Sequence, residues 1–378
     1  MNEQVNEYFS QPKKEIQIET YKRIKLLGQG NYGQAYLIQS TLSNIEYVCK
    51  DIDLSFSTEK EQKSAIQEVK ILKKCKHPNI IAFKEAFITR KPTRALHLVT
   101  EYADSGDLQQ IIKSQSKKNE LFSERQIINW LIQICLALKY IHKLNIIHRD
   151  IKPSNIFLTK DGLIKIGDFG VSKALRKGQH DTNTTVGTPL YMAPEVIDSE
   201  NYDYKADIWS LGITFFEIMT FTLPFDGNNQ VGLFNNIIEF KKKNSFNNKA
   251  IIYSDGLINI VRKMFSKNPK DRPTIDEILN VPIIKENYKK YIEIYKNKYL
   301  ENQIDLIEVS QNIFKSSTDE SDKYLNTIKE VYDGSFVDAD NNNENNIMCE
   351  NTDIKFEQKP KFSVIDSIND NKQKTEFL

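Results

Sequence analysis

Two short strings, eighteen residues apart, constrain this chain more than any other feature. The first is His148-Arg149-Asp150-Ile151-Lys152-Pro153-Ser154-Asn155; the second, Asp168-Phe169-Gly170, starts 18 residues after Asp150. Each demands a particular chemistry. Asp150 is placed to orient a substrate hydroxyl and accept its proton. Asn155 and Asp168 offer hard oxygen atoms of the kind that hold Mg2+ against phosphates. Between the strings, Ile156–Leu158 and Ile164–Ile166 read as two strands around an Asp161-Gly162 turn. Chance occurrence of both strings, in this order and spacing, is very improbable.

A glycine cluster lies well upstream, Leu27-Gly28-Gln29-Gly30-Asn31-Tyr32-Gly33-Gln34-Ala35. A dinucleotide-binding turn would need a helix directly after it. Here Gln34 to Ile38 alternates like a strand, so the dinucleotide reading fails. A glycine flap between two strands fits instead, its amides able to approach phosphate oxygens. An ordinary glycine hairpin is the bland reading of the same residues. Lys50 follows 17 residues after Gly33 on a third strand, and Glu68 another 18 residues on, within a helical pattern predicted over Ser64 to Cys75. A lysine that must meet phosphates needs an anchor, and a helical glutamate supplies one. Taken singly, both would pass for solvated surface charges.

The order of elements is mostly strands, then mostly helices, which predicts two lobes joined near Glu101–Ala103. Strands are expected over Ile80 to Thr89 and Ala95 to Tyr102, and a helix capped by Ser123 runs to Tyr140 with Gln126 completing a capping box. The nearly uncharged stretch Ile208 to Phe225 contains Glu217 and ends at Pro224, so it reads as a buried helix rather than a membrane span. Ile284, Tyr288, Tyr291, Tyr295 and Tyr299 form one stripe of an amphipathic helix. Residues 1–20 are polar and lack an apolar leader core, and no internal repeat is visible.

Charge adds one more division. The chain carries 52 Lys+Arg and 51 Asp+Glu overall, yet residues 301–378 hold 17 acidic and 8 basic side chains. That leaves a tail of net −9 on a body of about +10. No global field favours nucleic acid. None of the four cysteines shows a metal or redox spacing along the chain, so reduced thiols are expected. The division expected is 1–20 as an extension, 21–288 as a domain split at 102/103, 289–315 as a helical extension and 316–378 as an acidic, disordered tail.

Taken together, the glycine loop, Lys50, Glu68, the two strings, Ala193-Pro194-Glu195 and Asp271-Arg272-Pro273 resemble the eukaryotic protein kinase superfamily from about Tyr21 to Tyr288. The resemblance implies an α+β, bilobal fold with a small antiparallel β lobe, one key helix and a larger helical lobe. It implies ATP and Mg2+, with ATP held by residues 27–35, Lys50, Glu68, Glu101 and Ala103. The metal would lie on Asn155 and Asp168, and Asp150, Lys152 and Asn155 would serve catalysis. Glu195 and Arg272 would form a structural ion pair, and Thr100 would guard the back of the adenine pocket. Lys152 and Gly187-Thr188-Pro189 resemble serine/threonine rather than tyrosine kinases.

Four local features are similar to the NIMA-related (NEK) family: Ala35 in the glycine loop, Ser105-Gly106-Asp107-Leu108, His148 to Thr159, and Val186 to Met192. Leu190 and Ala193 depart from that pattern, and Ste-like or calcium/calmodulin-like kinases remain the alternative. A pseudokinase scaffold is the rival from another class; a primary role for the acidic tail is the third. By the NEK resemblance the partners are protein substrates, without nucleic acid or a membrane span, and oligomeric state is open. The location implied is cytoplasmic, with centrosome or cilium attachment. Thr184 or Thr185 would carry an activating phosphate, added by the chain itself or an upstream enzyme, with Arg149 as its expected buried, unpartnered cation.

Overall fold

A computed structural model describes residues 21–30, 33–55, 57–89, 95–169, 190–198, 202–246 and 252–301. Asn31, Tyr32, Gly170, Thr184, Thr185, Thr188, the N-terminal extension and the acidic tail lie outside them.

The small lobe is one antiparallel sheet. β1 (Tyr21–Gly30), β2 (Gly33–Ser40), β3 (Glu46–Asp53), β4 (Phe83–Thr89) and β5 (Ala95–Glu101) are ordered β1-β2-β3-β5-β4. Alternation decides which side chains face which way. Cys49 and Val99 join Tyr21 and Ile38 in a small apolar cluster on one face. Lys50, between Cys49 and Asp51, turns to the other face and meets α1 (Glu59–Lys74). The helix starts five residues before the predicted Ser64. Its first turns are made of strong helix formers without apolar members, so apolar periodicity could not mark them.

The strand predicted from Ile80 begins only at Phe83. Ile80 and Ile81 are engaged elsewhere: Ile80 bridges Ile166 in parallel, and Ile81 N donates to Ile166 O at 2.9 Å. Those bonds tie the small lobe to β7 (Ile164–Ile166), which pairs with β6 (Ile156–Leu158).

The large lobe gathers α2 (Leu108–Lys118), α3 (Glu124–Lys143), a short α4 (Pro194–Ile197), α5 (Lys205–Thr220), α6 (Gln230–Ile238), α7 (Asp255–Met264), α8 (Ile275–Leu279) and α9 (Pro282–Glu301). Ser123 caps α3 as expected, its Oγ accepting from Gln126 N at 3.3 Å. α5 is buried from Ala206 to Thr220 and is the axis of the lobe. No helix among the described residues is long and apolar enough to cross a membrane. Gly212 on α5 is obligatory, because a Cβ there would stand 2.7 Å from Met264 Cβ and 3.0 Å from Phe265 N. α9 runs unbroken through residue 288, and Ile284, Tyr288 and Tyr291 are all buried in the large-lobe core.

Candidate functional site

The site lies where β1–β3, α1, the segment after α3 and the β6–β7 hairpin meet. On β3 the ammonium of Lys50 is 3.0 Å from Asp168 Oδ1 and 3.7 Å from Glu68 Oε1. Burial works against that ammonium, but the carboxylates of Asp168 and Glu68 outweigh it and hold its pKa above the usual lysine value. Burial pushes the Glu68 carboxyl up, opposed by Lys50. Three residues separated by up to 118 positions are thereby joined.

The glycine flap is built by β1 and β2, with Gly28 opposite Ala35 and Gly30 opposite Gly33. Gly33 is there for the sheet itself: its φ is +145°, and a Cβ would come within 1.6 Å of Asp51 O. Gly28 differs, since a Cβ on it would meet nothing within 4 Å. The flap therefore has open space at Gly28, as a loop that covers phosphates requires. Ala35 pairs with Lys50 across β2 and β3.

At the junction of the lobes, Glu101 has its carboxylate occupied. Oε1 accepts from Ala82 N at 2.6 Å, and Lys165 Nζ sits 2.8 and 3.0 Å from the two oxygens. The side chain ties the hinge to β7, and Glu101 N donates to Ala82 O at 2.9 Å, so the main-chain carbonyl of Glu101 is the group that remains for a nucleotide. Ala103 is buried, and Leu27 is exposed at the flap.

Asp150 is braced from within its own string. Its Oδ2 accepts from Lys152 Nζ at 2.8 Å and from Asn155 Nδ2 at 2.9 Å, while Asp150 O accepts from Asn155 Nδ2 at 2.9 Å. A 3-10 turn over Pro153–Asn155 makes that reach possible. Asn155 spends its NH2 on Asp150, which leaves its carbonyl oxygen as the atom that could hold a metal. With Asp168 this is an all-oxygen donor pair, which fits Mg2+.

The string is held at its base by Asp207, which is fully buried on α5. Asp207 accepts from His148 N at 2.9 Å, Arg149 N at 2.8 Å and His142 Nε2 at 2.8 Å. Arg149 and Asp168 both adopt left-handed backbone, with φ of 69° and 58°. Non-glycine residues hold such angles only where their surroundings enforce them; for Arg149 the bond to Asp207 does so. The anchoring role of Asp207 was not legible from the sequence, where the residue merely precedes the nearly uncharged stretch from Ile208.

Arg149 requires a correction. It was expected to be a buried cation lacking a partner. It is exposed, and its guanidinium stacks over the Tyr202 ring at 5.6 Å.

Glu195 and Arg272 come together as expected. Arg272 Nη1 and Nη2 reach the two Glu195 oxygens at 2.6 and 2.8 Å. The remaining donors go to Lys205 O at 2.9 Å, Ser266 O at 2.9 Å and Lys267 O at 3.0 Å. All five guanidinium N–H groups are thus satisfied, and Trp209 lies 5.0 Å from the carbon.

Comparison with known proteins agrees with this geometry. The family model for the protein kinase domain matches residues 21–284. The chain is similar to "Serine/threonine-protein kinase Nek1" of Mus musculus, 38% identical over 275 residues that cover 73% of this chain and 22% of that protein. It is likewise 39% identical over 263 residues to mouse "Serine/threonine-protein kinase Nek3", covering 69% and 49% respectively. "Serine/threonine-protein kinase Nek6" of Oryza sativa subsp. japonica is 38% identical over 267 residues, covering 71% and 48%. The match spans about a fifth to a half of the length of these relatives.

Proposed function

The chain belongs to the protein kinase family, and from that premise we propose that it is an active serine/threonine kinase of the NIMA-related type. It would transfer the γ-phosphoryl group of ATP to hydroxyls of protein substrates. One observation carries the reading: Lys50 contacts Asp168 and Glu68 together, while Asp150 is fixed by Lys152 and Asn155. That complete set argues against a scaffold without catalysis.

The division of labour follows from the geometry. Lys50, held cationic, positions the nucleotide phosphates. Asp150 orients the substrate hydroxyl and accepts its proton, and the Lys152 ammonium beside it steadies charge on the transferring group. Mg2+ held by Asn155 and Asp168 would neutralise charge on the phosphates. The direct test uses the purified chain with ATP, Mg2+ and a degenerate peptide library. Phosphate on Ser and Thr is expected, with Asp150→Asn losing about a thousandfold or more in turnover but binding ATP within a few-fold. Near-normal turnover of Asp150→Asn, or phosphate on Tyr alone, would overturn the assignment.

The same reading extends to regulation and place. A phosphate on Thr184 or Thr185 adds a charge of about −1.5 to −2, for which the exposed Arg149 is an accessible partner. Mass spectrometry of active enzyme, with kinetics of Thr184→Ala, Thr185→Ala and the double variant, tests this; full activity in all three removes it. A cytoplasmic location with centrosome or cilium attachment belongs to the proposal through the NEK likeness alone, and imaging of the tagged chain tests it.

A further inference from the structure

On the sheet face opposite the Lys50 ammonium, three chemically distinct ligand atoms converge. Asp51 on β3 stands directly opposite His97 on β5, and Cys49 lies two residues before Asp51 on the same face. His97 Nδ1 is 2.6 Å from Asp51 Oδ1, Cys49 Sγ is 3.2 Å from the same oxygen, and Cys49 Sγ is 4.0 Å from His97 Nδ1. We propose that Cys49, Asp51 and His97 form a zinc site that clamps β3 to β5 behind Lys50.

The donor set is the first argument. Thiolate, imidazole and carboxylate are the three side-chain ligands zinc takes, at about 2.0–2.3 Å each. Tetrahedral placement at those lengths puts ligand atoms roughly 3.3–3.6 Å apart. Each pair here therefore needs to move by less than about 1 Å, a shift within reach of side-chain torsions alone.

The surroundings supply the second argument, because they already orient the ligands. His97 Nε2 lies 2.9 Å from Thr89 Oγ1, so the nitrogen not facing the metal has a hydroxyl to receive its proton. Phe87 stacks on the imidazole with centroids 4.9 Å apart and planes at 20°. Arg23 Nη2 holds the outer carboxylate oxygen of Asp51 at 2.5 Å, leaving Oδ1 for the interior. Cys49 and His97 are buried, whereas the Asp51 side chain keeps 17% exposure, so the fourth position opens toward water. On binding, the Cys49 thiol gives its proton to solvent, and imidazole binds through the Nδ1 lone pair. Two sulfur and nitrogen donors sharing one carboxylate oxygen by hydrogen bonding alone is the competing account.

Cobalt distinguishes the two, because thiolate–Co2+ charge transfer reports a cysteine ligand. The full chain is stripped with chelator and titrated with Co2+ in excess Mg2+, which occupies all-oxygen sites. One thiolate–cobalt band per chain is expected, abolished by equimolar Zn2+, together with a Zn2+-dependent rise in melting temperature. Cys49→Ser and His97→Phe should each weaken binding at least tenfold, while Cys135→Ala keeps it. Retained ATP-dependent thermal stabilisation shows that a variant is folded. The wild-type titration decides alone should a variant fail to fold: no thiolate band at millimolar Co2+ overturns the site. So does an undiminished band in folded Cys49→Ser.

Discussion

Two cation–carboxylate groups, one spanning the two lobes and one inside the large lobe, are built from the same kinds of atoms and behave as opposites. Lys50 in the small lobe reaches Glu68 at 3.7 Å and Asp168 at 3.0 Å, with 30% of its own side chain and 38% of that of Asp168 exposed. Arg272 in the large lobe is wholly buried on Glu195, with every donor used. The first is a single flexible ammonium shared between two partners and open to water. The second is a rigid fork locked in one geometry. On the proposed kinase function Lys50 would trade its partners for phosphates, and such a group has to remain solvated and adjustable. A group that fixes α4 to the start of α5 has no such need. The difference separates chemistry from architecture more sharply than residue type does.

The strongest way to break that contrast is Lys50→Met. Turnover should fall about a thousandfold or more, some 4 kcal/mol in barrier, while unfolding stability drops by no more than about 2 kcal/mol. The asymmetry arises because Glu68 can take a proton and Asp168 faces water once the ammonium is gone. Paired kinetics and urea unfolding of the variant measure both; a collapse in stability equal to the kinetic loss would erase the distinction.

Arg272→Ala is the converse test. It strands Glu195 and removes the Arg272 donor from three backbone carbonyls, so a loss of about 3–5 kcal/mol is expected, read as a lower urea midpoint. Activity per folded molecule should change far less than in Lys50→Met. Unaltered stability would show that the buried pair carries no structural weight.

A third measurement addresses the seam between the regions. His77 follows α1, packs its ring 5.3 Å from Tyr140 on α3, and accepts from Asn79 N at 3.0 Å. Burial, helped by the Lys165 charge, pushes its pKa down to about 3. The unfolded chain binds this proton near pH 6.5 and the native chain refuses it, so stability should fall as pH falls from about 6.5 toward 3. The contribution is about 1.4 kcal/mol per pH unit. Unfolding series between pH 7.5 and 5 should be flatter for His77→Gln, and parallel slopes would exclude the effect.

The smallest expected effect is at Thr100, which pairs with Val48 and Phe83 at the end of β5. Thr100→Met should weaken inhibitors that carry a bulky group past the hinge by about tenfold, roughly 1.4 kcal/mol. Equal affinity for both forms, by competition binding, would show that this position does not limit the pocket.

What was legible beforehand followed from short-range chemistry. The Ser123 cap and the β6–β7 hairpin each join residues only a few positions apart, where local geometry dominates. The Glu195–Arg272 pair spans 77 residues and was legible only through its likeness to kinases. Where backbone partners came from afar, the local pattern misled: Ile80 reads as strand, yet its neighbour Ile81 bonds to Ile166.

By itself, the sequence determined the bilobal α+β class, the kinase likeness and the donor types offered by Lys50, Asp150, Asn155 and Asp168, because short strings carry their own spacing. Only the tertiary structure decided that Asp207 anchors the start of the His148–Asn155 string, that Glu101 spends its carboxylate on Lys165, and that Arg149 turns outward onto Tyr202. It alone placed His97 beside Cys49 and Asp51, 46 residues from the nearer of them. The physical reason is register. A strand's alternation says which side chains share a face, but the partner opposite each one is set by how the whole sheet closes.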